Sequence, residues 1–200
     1  MSICRSISNR KISSECLESS DMRKQVLFCI ETKKKAKTDK VYIDETIDRF
    51  YNLGSNIRKR FIYLDGKGNY NKPKVENEIT LQIRKFGPEN PTVVIYCIDT
   101  DKHDSNPVQA NELDAVIKYC EMKGYEFVWF CRDVEDVYWR EQVSDSEKTQ
   151  RAAQCKRGRM IRDVKESNLR NNRIARHNSN IMTILDKHLE KKQIAEQQSR

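Results

Sequence analysis

Long apolar runs are missing from this 200-residue sequence. No stretch approaches the ~18 consecutive apolar residues of a membrane-spanning helix, which argues against a membrane protein. The N-terminus carries charges and serines but lacks the apolar segment of a secretory signal, so we expect a cytoplasmic protein. Hydrophobic residues make up only 37% of the chain. The core must therefore be concentrated in a few segments.

Paired cysteines are missing as well. The seven cysteines are scattered, with no C-x-x-C pair and no histidine at ligand spacing, which argues against a structural zinc site. Cys29 and Cys97 lie inside apolar runs, where a thiol behaves as a small hydrophobe. Negative charges are outnumbered, because the formal net charge is +8. This excess favours an anionic partner such as nucleic acid.

Four apolar segments predict the strands of an α/β fold, at residues 25–30, 60–64, 92–98 and 125–131. Amphipathic helices separate them. The first helix carries Ile43 and Ile47 and is expected to stop near Gly54. The second starts at Pro73, and the third starts at Asn106-Pro107. This alternation predicts a mostly parallel four-stranded sheet with helices on both faces.

The predicted α/β domain covers residues 23–142. We expect a flexible arm over 1–22 and a basic, helical extension over 143–200, with a last helix near 179–195. Basic side chains dominate residues 151–176 of the extension. That segment is either a solvated arm or a nucleic-acid contact, and its one-sided charge favours the second. The candidate contacts there are Arg157, Arg159 and Arg162.

Carboxylates follow the ends of three predicted strands. Glu31 follows the first strand, Asp65 the second, and Asp99 and Asp101 the third. The carboxyl ends of parallel strands share one sheet edge, where α/β proteins bind their ligands. Carboxylates held close together repel one another and lose solvation, and a hard cation relieves both penalties. We therefore predict that Glu31, Asp99 and Asp101 bind Mg²⁺ or Mn²⁺.

Acids after strands also have a structural explanation, because their side chains accept hydrogen bonds from orphan helix N–H groups. For Asp65 alone a turn role is favoured. Asp133, Glu135 and Asp136 follow the fourth strand and are candidates for a further ligand or a water-orienting base, and Glu135 is the one we assign to the metal. The alternative for Glu135 and its neighbours Asp133 and Asp136 is a solvated helix start.

Basic residues adjoin the predicted metal site in sequence. We predict catalytic roles for Lys67 and His103, with His103 protonating a leaving oxygen and Lys67 stabilising developing charge. Lys33, Lys34 and Lys102 are predicted to contact nucleic-acid phosphates. For each lysine a solvated surface position is the alternative, and for His103 it is an ordinary loop position.

The acidic pattern resembles the Toprim domain. In that domain an apolar strand ends in a glutamate, here Glu31, and a later apolar strand ends in Asp-x-Asp, here Asp99 and Asp101. The resemblance covers roughly residues 24–140. It implies a Toprim-like sheet and Mg²⁺-dependent phosphodiester chemistry, with Glu31 as general base or metal ligand.

Within Toprim, the chain resembles the RloB-like proteins associated with bacterial anti-phage and restriction loci. Their first motif resembles E-G-x-x-T-E followed by an aromatic residue, and this chain has Glu31-Thr32, then Thr38-Asp39 and Tyr42. The loop Gly66-Lys67-Gly68 resembles their second-strand loop. The chain departs from the family where Thr32 replaces glycine and lysines lengthen the spacing to Thr38. It departs again after the fourth strand, where Cys131–Asp136 and Trp139 replace the Asn-Pro and Phe-Glu-x-Trp segment.

The resemblance implies a metal-dependent nuclease that hydrolyses DNA or RNA in bacterial anti-phage defence. The expected partners are nucleic acid, a partner defence protein such as an ATPase, and a second copy of the chain. The alternative is a non-catalytic Toprim-like module that binds nucleic acid or protein, which the departures favour. A phosphoacceptor receiver domain is disfavoured, because its acidic pair follows the first strand and not the third.

Overall fold

The structure is a computed structural model that describes residues 23–158 and 160–193. The predicted arm, residues 1–22, therefore lies outside the described residues. The elements in chain order are β1 (Lys24–Ile30), α1 (Thr38–Phe50), β2 (Tyr51–Asn52), β3 (Ile57–Tyr63), α2 (Pro73–Phe86), β4 (Thr92–Asp99), α3 (Pro107–Lys123), β5 (Glu126–Phe130), α4 (Val134–Trp139), α5 (Lys148–Gly158), α6 (Glu166–Leu169), α7 (Ile181–Leu185) and β6 (Glu190–Lys191).

The fold is α/β, as predicted. Its main sheet has four strands in the order β3-β1-β4-β5, and every neighbouring pair is parallel. The predicted starts of two helices are confirmed, because Pro73 opens α2 and the Asn106 side chain caps α3 by accepting from the backbone N–H groups of Val108 and Gln109. The expected stop of α1 near Gly54 is wrong. The helix ends at Phe50 because the chain then forms β2, which pairs with β6.

Strand β1 is covered on both faces, which explains its unbroken apolar sequence. Alternate side chains, such as Phe28 and Ile30, pack in a core with α1, α4, α5, α6 and α7. The intervening side chains, such as Leu27 and Cys29, pack in a second core with α2 and α3. The prediction of helices on both faces of the sheet is therefore confirmed.

The basic extension packs against the sheet domain over its described residues. Its apolar side chains Ala152, Cys155 and Leu169 are buried in the same core as β1 and α1. The basic side chains Arg157 and Arg162 lie on the exposed side. The interpretation of residues 151–176 as a solvated arm is therefore wrong, because the segment alternates buried apolar and exposed basic residues.

The last predicted helix is shorter in the structure than the expected 179–195. Helix α7 spans only Ile181–Leu185, because the chain then turns into β6 and pairs with β2. Its predicted apolar face is confirmed, since Ile181, Ile184 and Leu185 are all buried. Over residues 23–158 and 160–193, no helix combines the length and the apolar character needed to cross a membrane.

The C-terminal segment also covers the outer edge of β5. The Asn180 side chain accepts from the backbone N–H of Trp129 at 2.9 Å and donates to the carbonyl of Phe127 at 2.9 Å. The Ser179 hydroxyl donates to the Trp129 carbonyl at 2.6 Å. These bonds satisfy strand groups that an uncovered edge would leave free for aggregation.

Replacing Asn180 with alanine should destabilise the protein. The change removes the partners of two strand groups, and an unsatisfied buried group costs about 1–3 kcal/mol, so we expect a loss of about 2 kcal/mol in the free energy of unfolding. Urea denaturation measures it. The matched control is Asn172→Ala, which changes an exposed asparagine of the same segment. Equal stability of the two variants would contradict the role of Asn180.

Candidate functional site at the carboxyl edge of the sheet

The carboxyl ends of the four strands are held together beyond the last residues of the strands. On one side, Gly66 N–H donates to the Glu31 carbonyl at 2.9 Å. On the other, Asp101 N–H donates to the Arg132 carbonyl at 2.8 Å, and Arg132 N–H donates to the Thr100 hydroxyl at 2.9 Å. The parallel pairing thus continues into the loops. It fixes where Glu31 and Asp101 begin their turns away from the sheet.

Three of these loops contain a residue in the left-handed region. Asp65 has φ 60°, Asp101 φ 48° and Arg132 φ 63°, each two residues beyond the end of a strand. A non-glycine residue in this region is costly, though aspartate tolerates it better than most. Such strained residues concentrate at functional sites. Asp65 itself is exposed and faces Lys33 at 3.8 Å, which fits its turn role.

Six carboxyl groups gather at this edge, and we call them the carboxylate cluster. Glu31 and Asp99 are joined directly, because the backbone N–H of Asp99 donates to the Glu31 carboxylate at 3.4 Å. Asp39 enters from the first turn of α1, where its carboxylate accepts from Thr32 N–H at 3.2 Å. The members of the carboxylate cluster are Glu31, Asp39, Asp99, Asp101, Asp133 and Glu135.

The pKa of Glu31 is raised to about 7. Burial is the main cause, because it penalises the charged form, and the negative charges of Asp101 and Asp39 add to it. The positive charge of Lys67 opposes the shift. A carboxyl with such a pKa exchanges protons near neutral pH, which suits a general base or acid.

Asp99 lies at the centre of the cluster electrostatically. Its pKa is raised well above the usual value, first by burial and then by the charges of Asp39, Glu31 and Glu135. Burial also raises the pKa of Asp39, against the hydrogen bond from Thr32 N–H. Each of these carboxylates therefore repels the others when ionised, and a bound cation would relieve the repulsion.

Glu135 is the most deeply buried member, with 1% of its surface exposed. Its Oε1 atom is buried without a hydrogen-bond partner among the described residues. Burial raises its pKa to about 7, with Lys148 opposing the shift. Its neighbour Asp133 caps α4 by accepting from Asp136 N–H at 2.7 Å, so the helix-start interpretation holds for Asp133.

Two lysines face the cluster. The Lys67 ammonium is almost buried and pairs with the Asp101 carboxylate. The Lys148 ammonium lies 3.4 Å from Asp133 and 3.6 Å from Glu135. Although burial lowers the pKa of Lys148, the carboxylates around it outweigh that effect and raise it. When ionised, the six carboxyl groups outnumber the two ammonium groups, and the resulting excess of negative charge adds to burial in raising the pKa values of Glu31 and Asp99.

The cluster fits a hard cation in its chemistry. All its candidate ligand atoms are carboxylate oxygens, which Mg²⁺ prefers. The Glu135 Oε1 atom has no hydrogen-bond partner within the described ranges. The positions of the side chains fit a bound cation less well than their chemistry does. Within residues 23–158 and 160–193, no group of three or more His, Cys, Asp or Glu side chains is placed so that it could hold a metal ion. The ammonium groups of Lys67 and Lys148 already supply part of the positive charge that a metal ion would bring, since they pair with Asp101, Asp133 and Glu135.

The other predicted site residues lie outside the cluster. His103 sits in the turn after Asp101, where its backbone N–H donates to the Thr100 carbonyl at 3.2 Å. Its Nδ1 atom is buried and has no hydrogen-bond partner in the part of the chain that the structure describes. No hydrogen bond or ion pair joins His103 to the described carboxylates of the cluster. Lys33, Lys34 and Lys102 are exposed near the same edge.

The predicted nucleic-acid contacts of the extension lie elsewhere on the chain. Arg157 is exposed near the end of α5. Arg162 is also exposed, and its carbonyl accepts from the Arg49 guanidinium on α1 at 3.3 Å. Arg159 lies outside the described residues.

Two members of the site were not among the predicted site residues. Asp39 was visible in the sequence as part of the Thr38-Asp39 motif, but it was not singled out as a ligand. Lys148 carried no local signal, because it lies in a polar stretch more than a hundred residues from Glu31. Packing of α5 against α1 brings it to the cluster.

No protein-family model, curated protein or solved structure matches this chain. The resemblance to Toprim therefore depends on the strand-end acids and the motifs themselves.

Proposed function

We propose that this chain is a Toprim-like, metal-dependent nuclease that hydrolyses phosphodiester bonds in DNA or RNA. One observation carries the proposal. Glu31 and Asp99, which follow or end adjacent parallel strands, have raised pKa values and lie in one cluster whose carboxyl groups outnumber its ammonium groups. Catalytic sites are where such shifts concentrate.

The residues proposed to hold Mg²⁺ or Mn²⁺ are Glu31, Asp99, Asp101 and Glu135. When bound, the ion would neutralise phosphate charge and lower the pKa of a coordinated water. Glu31, with a pKa of about 7, is suited to accept a proton near neutral pH. Lys67 is placed to stabilise negative charge beside Asp101. His103 as proton donor stays a prediction.

The remaining parts of the proposal come from the resemblance. They are a role in bacterial anti-phage defence, a cytoplasmic location, a partner defence protein such as an ATPase, and self-association. The exposed lysines Lys33, Lys34 and Lys102 support contact with nucleic-acid phosphates, since they lie beside the carboxyl edge of the sheet.

A cleavage assay tests the nuclease proposal. The wild type, Glu31→Gln and Asp101→Asn are incubated with single-stranded DNA, duplex DNA and RNA in Mg²⁺ or Mn²⁺. We expect each variant to lose roughly a hundredfold or more in rate, beyond the ten- to hundredfold typical of residues that only orient ligands.

The matched control for this assay is Asp104→Asn. Asp104 lies in the same loop as Asp101, is exposed, and pairs with Arg132 at 3.3 Å outside the cluster. We expect this variant to keep wild-type activity. Equal activity of the wild type, Glu31→Gln and Asp101→Asn would refute the assignment.

A non-catalytic nucleic-acid-binding module is the second candidate. The two lysines favour it, because Lys67 and Lys148 already neutralise carboxylates that a metal would need. Calorimetry with Mg²⁺ and Mn²⁺ separates the candidates. No heat of metal binding, together with nucleic-acid binding that weakens steeply with salt, would support the module. Metal binding that Asp99→Asn abolishes would support the nuclease.

A further inference from the structure

A pocket of about 380 Å³ opens beside the carboxylate cluster. One wall is the turn that follows β3, with Lys67, Gly68 and Tyr70. The opposite wall is the first half of α3, which contributes Val108, Asn111, Glu112, Ala115 and Val116. This volume lies at the small end of the ~300–1,000 Å³ typical of ligand pockets.

Lys67 joins the pocket to the carboxylate cluster. Its side chain lines the pocket, and its ammonium pairs with the Asp101 carboxylate. A ligand in the pocket and the proposed reaction site therefore lie on either side of the Lys67 side chain. If Lys67 contacts a phosphate, the group attached to that phosphate lies at the mouth of the pocket.

The wall of the pocket that contains Tyr70 is preorganised by contacts within the protein. The Tyr96 hydroxyl donates to the Tyr70 carbonyl at 2.9 Å, and the Tyr70 ring meets the Tyr119 ring edge-on with centroids 5.2 Å apart. Tyr96 and Tyr119 belong to the core under α2 and α3. The aromatic wall is thus fixed by buried contacts, which lowers the entropy lost when a ligand binds.

The lining combines apolar faces with a polar rim. Val108 is a large hydrophobic side chain with 65% of its surface exposed, and Ala115 and Val116 continue the apolar wall. Asn111 offers a side-chain donor and acceptor, and Glu112 offers an acceptor. A nucleobase has the complementary form, with flat apolar faces and a hydrogen-bonding edge.

We propose that this pocket binds one unstacked nucleobase of a nucleic-acid strand, next to the phosphate held at Lys67. The inference rests on the proposed function, because it takes nucleic acid as the substrate. A base inside a duplex stack cannot enter such a pocket without flipping out. The preferred substrate is therefore a single strand or a site with an unpaired base.

Binding to fluorescent oligonucleotides without divalent metal tests the pocket apart from cleavage. Two probes are compared, a single-stranded oligonucleotide and the same backbone made of abasic residues. Ala115→Phe fills the pocket, and Asn111→Ala removes a rim group from an exposed position where the fold is not at risk. The matched control is Ala110→Phe, on the same helix but outside the pocket lining.

The wild type should bind the base-containing strand about tenfold more tightly than the abasic strand, as expected for one base–aromatic contact of ~1–3 kcal/mol. Ala115→Phe should abolish this ratio and Asn111→Ala should reduce it, while Ala110→Phe leaves it unchanged. Weaker binding of both probes to the same extent, or no change in the ratio, would overturn the pocket assignment.

The two proposals fail separately in these experiments. Cleavage of nucleic acid with an unchanged ratio in Ala115→Phe would overturn the pocket and leave the nuclease proposal standing. A ratio that Ala115→Phe abolishes, in a protein that cleaves nothing with Mg²⁺ or Mn²⁺, would support the pocket and refute the nuclease.

Discussion

Asp99→Asn should make the metal-free protein more stable and at the same time abolish Mg²⁺-dependent cleavage. Asparagine keeps the size of the side chain and is neutral, so folding no longer has to protonate or bury a carboxylate whose charged form is disfavoured by burial and by the carboxylates of Asp39, Glu31 and Glu135. We expect a gain of about 1 kcal/mol or more in the free energy of unfolding, which raises Tm by about 2–4 °C per kcal/mol in a chain of this size.

The measurement is thermal unfolding with a metal chelator at neutral pH, beside the cleavage assay. Asp104→Asn again serves as the control, because Asp104 is exposed and its pair with Arg132 is worth less than about 1 kcal/mol. A lower Tm for Asp99→Asn than for the wild type would show that Asp99 stabilises the fold and is not under electrostatic strain. A stabilising loss of function is typical of residues selected for activity.

Raising the pH from about 4.5 to 7 should lower the stability of the metal-free protein. Glu31 and Glu135 have pKa values of about 7 in the folded state against 4.5 in the unfolded state. The folded state therefore holds more protons in this window, and its stability is greatest below pH 4.5 and falls as the pH rises through 7. Each group accounts for roughly 2–3 kcal/mol before the coupling between them is considered.

Other carboxyl groups act in the opposite direction but at lower pH. The pKa of Glu126 is lowered, because hydrogen bonds from Lys187 and His188 outweigh its burial. It adds stability as the pH rises below 4.5. His188 acts within the higher window, because burial lowers its pKa and its contribution to stability therefore rises with pH up to about 6.5. This single histidine opposes the two glutamates of the carboxylate cluster, and the net fall in stability is expected from the larger number of carboxyl groups with raised pKa values.

Urea denaturation at several pH values, with a chelator and then with Mg²⁺, measures the effect. The double variant Glu31→Gln and Glu135→Gln should flatten the dependence between pH about 4.5 and 7. A wild-type stability that is constant over this window would contradict the raised pKa values. Under the nuclease proposal Mg²⁺ should restore stability at neutral pH, because it binds the ionised carboxylates of the folded state.

Periodicity predicted the main elements of the fold well. The apolar runs of β1, β4 and β5 are buried on both faces, and such strands are recognisable in the sequence as continuous apolar segments. Pro73 and Asn106 mark helix starts through local backbone chemistry, so their roles were also predictable. The β2–β6 ribbon was not, because two-residue strands carry no periodicity and form only when distant segments meet.

The candidate site was predictable in part. Glu31, Asp99 and Asp101 follow recognisable strands, so a parallel sheet brings them to one edge. Lys148 was not predictable, because its place depends on how α5 packs against α1. The pocket beside Lys67 was also invisible, since its two walls come from the turn after β3 and from α3, about forty residues apart in the chain.

The α/β class, the strand-end acids and the excess of positive charge can be read from the sequence alone, because they depend on local pattern and composition. The remaining features depend on how distant segments pack together. These features are the packing of the basic extension on the core, the burial of Glu135 beside Lys148, and the pairing of Lys67 with Asp101 at the mouth of a pocket. Burial and the distances between charges set the pKa values, and both arise only when separate segments of the chain are packed together.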